Sequence, residues 1–201
     1  ENLILVGGES SDIKYPGPSV NETSEYITRD LNAGRFDLFC GGITIPSRKV
    51  ESVRLLKKGS NGIEFFTTQV LYDGKKIKKM LKYYDDVCKE SNVLPRRILL
   101  SFAPVSSKKN IDFLKWLGVE IPLQTEKRLT SDKKMMSDES LEIASDILKD
   151  ILNNNEKLGI TVPVGLNVEH IMSYNFQSSI NMLQELSRIY REFCIKTSLY
   201  D

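Results

Sequence analysis

The sequence predicts an α/β protein built on a parallel sheet, and three observations carry that expectation. Short apolar runs alternate with segments of helical periodicity along all 201 residues. The runs are apolar at successive positions rather than at every second one, the pattern of strands buried on both faces. Neighbouring parallel strands need a right-handed crossover, and the helical segments between the runs supply it.

Leu3 to Val6 is the first run and ends at Gly7-Gly8. Ser19-x-x-Glu22 is a capping box, after which Val20, Ile27 and Leu31 recur at helical spacing, with Asn32 and Gly34 as the stop. Phe36 to Cys40 reads as the second strand, closed by Gly41-Gly42, with a helix over Arg48 to Lys58. Glu64 to Tyr72 (EFFTTQVLY) has the highest content of aromatic and β-branched residues and reads as a strand throughout. Ile77, Leu81, Tyr84 and Cys88 mark the helix that follows. Ile98 to Phe102 is a fourth strand, and Ile111, Leu114 and Leu117 give a short helix in which Trp116 is expected in the core. A long helix begins near Ser137, Val162 to Val168 is the last strand, and Phe176, Ile180, Leu183 and Phe193 line a terminal helix.

Composition narrows the function. Lys plus Arg number 28 against 27 Asp plus Glu, a net charge of +1, so no global field exists to hold a polyanion and a dedicated nucleic-acid binder is excluded. Hydrophobic residues at 40% and charged residues at 27% describe an ordinary globular chain. No stretch approaches the roughly 20 apolar residues that cross a bilayer. Cys40, Cys88 and Cys194 are odd in number and lack a CxxC, which reads as reduced thiols in a cytoplasmic protein without a zinc site. The single His170 excludes His-rich metal sites. A start at Glu1 rather than Met is read as part of a longer polypeptide.

Two architectures fit a series of five βα units in one domain spanning residues 1–201. One is a (β/α)8 TIM barrel of which the chain supplies about the last five units. The other is an open doubly wound parallel sheet. Both place chemistry at the carboxyl ends of strands, here Gly7-Gly8-Glu9, Gly41 to Thr44, Thr68-Gln69, Phe102-Ala103-Pro104 and Asn167-Val168-Glu169. No GxGxxG or GxxxxGK[ST] follows a strand, so nucleotide binding of the Rossmann or P-loop kind has no support.

At these strand ends the chain resembles the methylenetetrahydrofolate reductases, flavin-dependent (β/α)8 barrels that reduce methylenetetrahydrofolate to methyltetrahydrofolate. The resemblance lies in NLILVGGESS with the YPG after it, FDLFCGGITIPSRKVESVRLLKKG, NGIEFFTTQVLYD, and ILLSFAPVSS with the later WLGVEIP. It implies that Gln69, at the family's Thr-Gln position, faces the folate pterin; Phe102, Asn167, Glu169 and His170, at the neighbouring strand ends, are the further candidates for the folate. It implies FAD along Gly7, Gly8, Glu9, Thr44, Ile45 and Lys58, the lysine near the flavin phosphates. Leu166-Asn167-Val168 stands where the family has Leu-Asn-Arg, and the family's general-acid Glu, on the first barrel strand, has no counterpart in this chain. The missing strands are therefore expected from upstream sequence or from a partner chain, whether a second copy or another protein. The function implied is a reductase-like protein of one-carbon metabolism, binding reduced folate with hydride transfer from flavin. The alternative is a folate-binding module or subunit without flavin or reductase activity.

Other features have plainer readings beside these. Glu169-His170 could form an acid/base pair, but adjacent residues on an extended segment point to opposite faces. Tyr15-Pro16-Gly17 reads as a turn with a surface Tyr, or as a ring-stacking residue. Lys75, Lys76, Lys78, Lys79 and Lys82, opposed by Asp85 and Asp86, read as a solvated helix face, with a polyglutamylated folate tail as the other use.

Overall fold

The computed structural model describes residues 2–7, 16–32, 38–131 and 133–198. Strands and helices alternate as β1 (Asn2–Leu5), α1 (Val20–Asn32), β2 (Phe39–Thr44), α2 (Glu51–Ser60), β3 (Phe65–Thr68), α3 (Lys75–Glu90) and β4 (Arg97–Phe102). There follow α4 (Lys108–Trp116), α5 (Leu123–Leu129), α6 (Met136–Leu158), β5 (Val164–Val168) and α7 (Phe176–Ser198). The sheet order is β1-β2-β3-β4-β5. Asn2 pairs with Phe39, Gly41 with Phe65 and Phe65 with Arg97, all in parallel. The Ile98 N–H donates to the Pro163 carbonyl and the Glu169 N–H to the Phe102 carbonyl, so β5 runs in the same direction.

That order contains no reversal. A doubly wound sheet needs one, where the chain turns back to build its second half. The open doubly wound alternative is thus corrected to a singly wound βα array. β1 is its outermost strand, with Leu3 and Ile4 39% and 44% exposed, and among the described residues no strand lies on its outer side.

The chain divides into two compact units. The first comprises Glu1–Gln69, Met80–Leu99 and Thr161–Gly165. Its α1 begins as the capping box predicts, with Ser19 N–H donating to Glu22 Oε2 at 2.7 Å and Glu22 N–H to Ser19 Oγ at 3.2 Å. The second strand extends to Thr44 rather than closing at its glycines. A Cβ at Gly41 would collide with the Phe65 ring, so Gly41 makes room for the neighbouring strand's aromatic residue. Leu55, Ile63, Phe66, Leu81, Tyr84 and Ile98 fill the core of this unit. Asp85, itself buried, accepts the Thr161 N–H at 2.9 Å and its hydroxyl at 2.6 Å, and pairs with Lys89 at 2.5 Å.

The second unit comprises Val70–Lys79, Leu100–Ile160 and Leu166–Asp201. The strand expected over Glu64 to Tyr72 stops at Thr68. Val70, Leu71 and Tyr72 are nevertheless buried, and the Leu71 N–H still donates to the Ser101 carbonyl of β4 at 2.9 Å, so the pairing with β4 outlasts the regular strand. On α4, Asn110, Ile111 and Leu114 face inward. Trp116 lies two residues past Leu114, on the opposite side of the helix; it is 70% exposed and stacks on Phe113. Its expected core position is corrected accordingly. Helix α5 went unpredicted because seven residues after Pro122 are too few to show a period. Helix α6 ends at Gly159, whose φ of 59° is the left-handed cap glycine tolerates. Leu148, Ile151 and Leu152 on α6 and Met182, Leu186 and Ile189 on α7 complete this core.

Asp85 supplies a test of the first unit. Burial raises its pKa, but the bonds from Lys89 and Thr161 outweigh that and leave it below the ordinary Asp value. The native state therefore binds fewer protons than the unfolded chain. Its contribution is complete above the unfolded pKa and is lost as pH falls through the folded one. Asp85→Asn should cost about 1–3 kcal/mol at pH 7. That cost should shrink below about pH 4, as read by urea unfolding across pH.

Candidate functional site

The carboxyl ends of the strands carry two polar clusters, one in each unit. In the second unit, β5 delivers Asn167 and Glu169 and β4 delivers Ser101 and Phe102. Asn167 Nδ2 donates to Ser101 Oγ at 3.0 Å and reaches Glu169 Oε1 at 3.4 Å. Burial pushes the Glu169 carboxyl above the ordinary Glu value, while a hydrogen bond from Ser101 pulls it back. Tyr72 donates its buried hydroxyl to the Ala103 carbonyl at 2.8 Å. Burial raises its phenol, and the nearby Glu169 charge adds to that shift. Phe102 is fully buried, so its ring belongs to the core and only its carbonyl meets Glu169. His170 is exposed, and its ring meets Phe176 edge-on at 5.3 Å between centroids.

A buried amide network lies next to these residues. Asn175 Nδ2 donates to the Pro104 carbonyl and to Asn110 Oδ1, both at 3.2 Å. Asn110 Nδ2 donates to Tyr174 Oη at 2.7 Å, and Ser106 Oγ to Asn175 Oδ1 at 2.5 Å. Residues 173–175 form a short 3-10 turn just before α7. Asn110, Tyr174 and Asn175 were not singled out from the sequence. Their only signal was an Asn on the apolar face of α4, beside Ile111 and Leu114.

In the first unit, Thr44 Oγ1 donates to Glu51 Oε1 at 3.1 Å and Ile45 N–H to the same oxygen at 3.2 Å. The other oxygen of the buried Glu51 lies 3.6 Å from Arg54 Nε. Lys58 is 7% exposed and donates to the Ile43 carbonyl at 3.0 Å. Burial holds its ammonium below the ordinary lysine range, with Glu51 pulling the other way. Gln69 follows β3, half-buried, its backbone N–H on the Thr44 carbonyl at 2.9 Å. Gly8, Glu9 and Tyr15 lie outside the described residues.

These residues do not fit a flavin. The Thr44 hydroxyl and Ile45 N–H are bonded to a carboxylate of their own unit, and a carboxylate at that point repels a phosphate. Lys58 is turned inward onto a strand carbonyl.

The described residues hold no cluster of metal-ligating side chains and no helix long and apolar enough to cross a membrane. No family model matches the chain, and no curated protein does. Among solved structures, the chain is similar to an uncharacterised protein from Clostridium thermocellum that binds two copies of 5-methyl-5,6,7,8-tetrahydrofolic acid. The identity is 25% and the TM-score 0.73, over 92% of this chain and 63% of that one. The chain thus spans less than two thirds of that protein's length. A likeness to 3-keto-L-gulonate-6-phosphate decarboxylase from Vibrio cholerae has a TM-score of 0.31 at 12% identity, covering 85% of this chain and 79% of that one, and bears no weight.

Burial of an ionised Glu169 should cost the fold stability at neutral pH. With its folded pKa above the unfolded value, the native state binds the extra proton. Its contribution is favourable below the unfolded pKa and is lost as pH rises through the folded one. Glu169→Gln should therefore raise the melting temperature at pH 7 to 8 and leave it unchanged near pH 4, as read by calorimetry. An equal shift at both pH values would remove ionisation as the cause.

Proposed function

We propose that this chain is a reduced-folate-binding module that works without flavin, with its Asn167–Glu169 cluster receiving the pterin edge. The observation that carries the reading is the likeness over 92% of the chain to a protein that binds 5-methyltetrahydrofolic acid. The chemistry of the cluster supports it. A pterin presents adjacent N–H donors on a guanidine-like fragment, with ring and carbonyl acceptors alongside. A carboxylate accepts from the paired donors, and a carboxamide both donates and accepts. Glu169 is partly desolvated, which strengthens such bonds once they are made. The reductase reading requires bound flavin, and the internal bonds of Glu51 and Lys58 speak against it.

On this reading the five βα units are the later part of a (β/α)8 barrel, completed by another segment or a partner chain. The sequential strand order and the exposed outer edge of β1 support that arrangement. A strand left open in this way calls for a covering partner.

The test is a calorimetric titration with 5-methyltetrahydrofolate. The protein should purify colourless and still bind. Glu169→Gln should weaken binding by about 1–3 kcal/mol, since a hydrogen-bonded charge is lost. Wild-type affinity should fall on acidification at a higher pH than an ordinary Glu would dictate. A yellow protein, or unchanged affinity in Glu169→Gln, would overturn the reading. Gln69→Ala, run in parallel, decides whether the residue implied by the resemblance belongs to the site.

A further inference from the structure

We propose that Ser101 is a positioning residue for the ligand: fully buried inside β4, it holds the Asn167 amide and the Glu169 carboxylate in the arrangement that meets the ligand's N–H donors. The inference rests on the folate reading and deepens it, because it names what makes the cluster an acceptor.

A hydroxyl within the apolar run Ile98 to Phe102 stands out, since burying one without a partner costs stability. Ser101 is 0% exposed, and strand alternation places it on the face opposite Ile98, Leu100 and Phe102. Its Oγ accepts from Asn167 Nδ2 at 3.0 Å, and its hydroxyl donates to Glu169. Asn167 Nδ2 also reaches Glu169 Oε1 at 3.4 Å, so the three side chains close a triangle of hydrogen bonds between β4 and the end of β5. The Ser101 carbonyl accepts the Leu71 N–H at 2.9 Å, which ties in the segment that carries Tyr72. One buried residue thus fixes both the carboxylate and its neighbouring segment.

The consequence for the ligand follows from the direction of these bonds. An ionised carboxylate only accepts, whereas a protonated one also donates. Burial favours the protonated form of Glu169, and the Ser101 hydroxyl opposes it, with no cation contributing. The titratable groups beside Glu169 are the Tyr72 phenol and His170, next in sequence. Burial and the Glu169 charge keep the phenol protonated, and the exposed His170 ring meets Phe176. Without the Ser101 hydroxyl, Glu169 takes up its proton at a higher pH and turns a donor towards the donors of the ligand.

The experiment follows the Glu169 carboxyl across pH by carbon NMR, its resonance identified by its loss in Glu169→Gln. Calorimetry with 5-methyltetrahydrofolate is run at each pH. In Ser101→Ala the carboxyl should titrate at higher pH than in the wild type. Between the two midpoints the variant should bind about tenfold more weakly, the worth of one hydrogen bond to a charged group, and the gap should narrow where both carboxyls are ionised. Ser101→Thr, which keeps the hydroxyl, should restore the wild-type profile. Should its extra methyl prevent folding, the Glu169→Gln background decides: there Ser101→Ala should add no pH dependence. An unchanged carboxyl titration in Ser101→Ala, or a loss of affinity of equal size at every pH, would overturn the assignment. Failure of the wild type to bind 5-methyltetrahydrofolate would overturn the folate reading instead, a result distinguished by a Glu169 titration that still responds to Ser101→Ala.

Discussion

Parallel pairing is the constraint on which the rest of the molecule depends. A parallel strand cannot be reached by a tight turn, so each strand of this sheet is followed by helix, and every strand ends on the same edge. Polar residues at or just past those ends, Thr44 and Gln69 in the first unit and Ser101, Asn167 and Glu169 in the second, are brought together within each unit by topology. The interior can then remain apolar while the edge carries chemistry. Ile98, Leu100 and Phe102 alternate inward along β4, and the buried Ser101 between them supplies the polar group that Asn167 reaches.

This division explains which parts could be read from the sequence. Strand and helix order was legible because buried parallel strands and amphipathic helices leave opposite periodic traces. β4 and β5 were found to within about two residues, the usual boundary uncertainty. Boundaries failed where tertiary packing decided them. Gly41 looked like a strand terminator and is a strand residue facing an aromatic ring on β3. Val70 to Tyr72 looked like strand, and they lie past the regular strand, buried, with the Leu71 N–H on the Ser101 carbonyl of β4. Trp116 looked like core, and helical phase placed it outside.

The candidate site was legible in part. Glu169 and Asn167 stand out as polar residues after an apolar run, and the structure joins them through Ser101. Lys58 was misleading because a lysine beside another lysine on a helix reads as solvated, and nothing local reports that its ammonium bonds a strand carbonyl. The same holds for Glu51, whose partners Thr44 and Ile45 lie one loop earlier and meet it only once α2 has docked. The Asn110–Asn175 contact spans 65 residues and has no local trace at all. Side-chain partnerships of this range arise from the fold, so a linear reading finds their members only by type.

The joint between Asp85 and Thr161 bears on the order of assembly. It links residues 76 apart, whereas the pairing of β2 with β3 joins Gly41 to Phe65 across a short crossover. Loop closure becomes slower and entropically more demanding with separation. The early strands can therefore pair while the chain is still short, and the segment entering β5 is tied in late. Asn167 and Glu169 follow that segment directly. A chain arrested before this step has much of its sheet and none of its β5 cluster, so a ligand held by Glu169 would stabilise only molecules that have completed the fold.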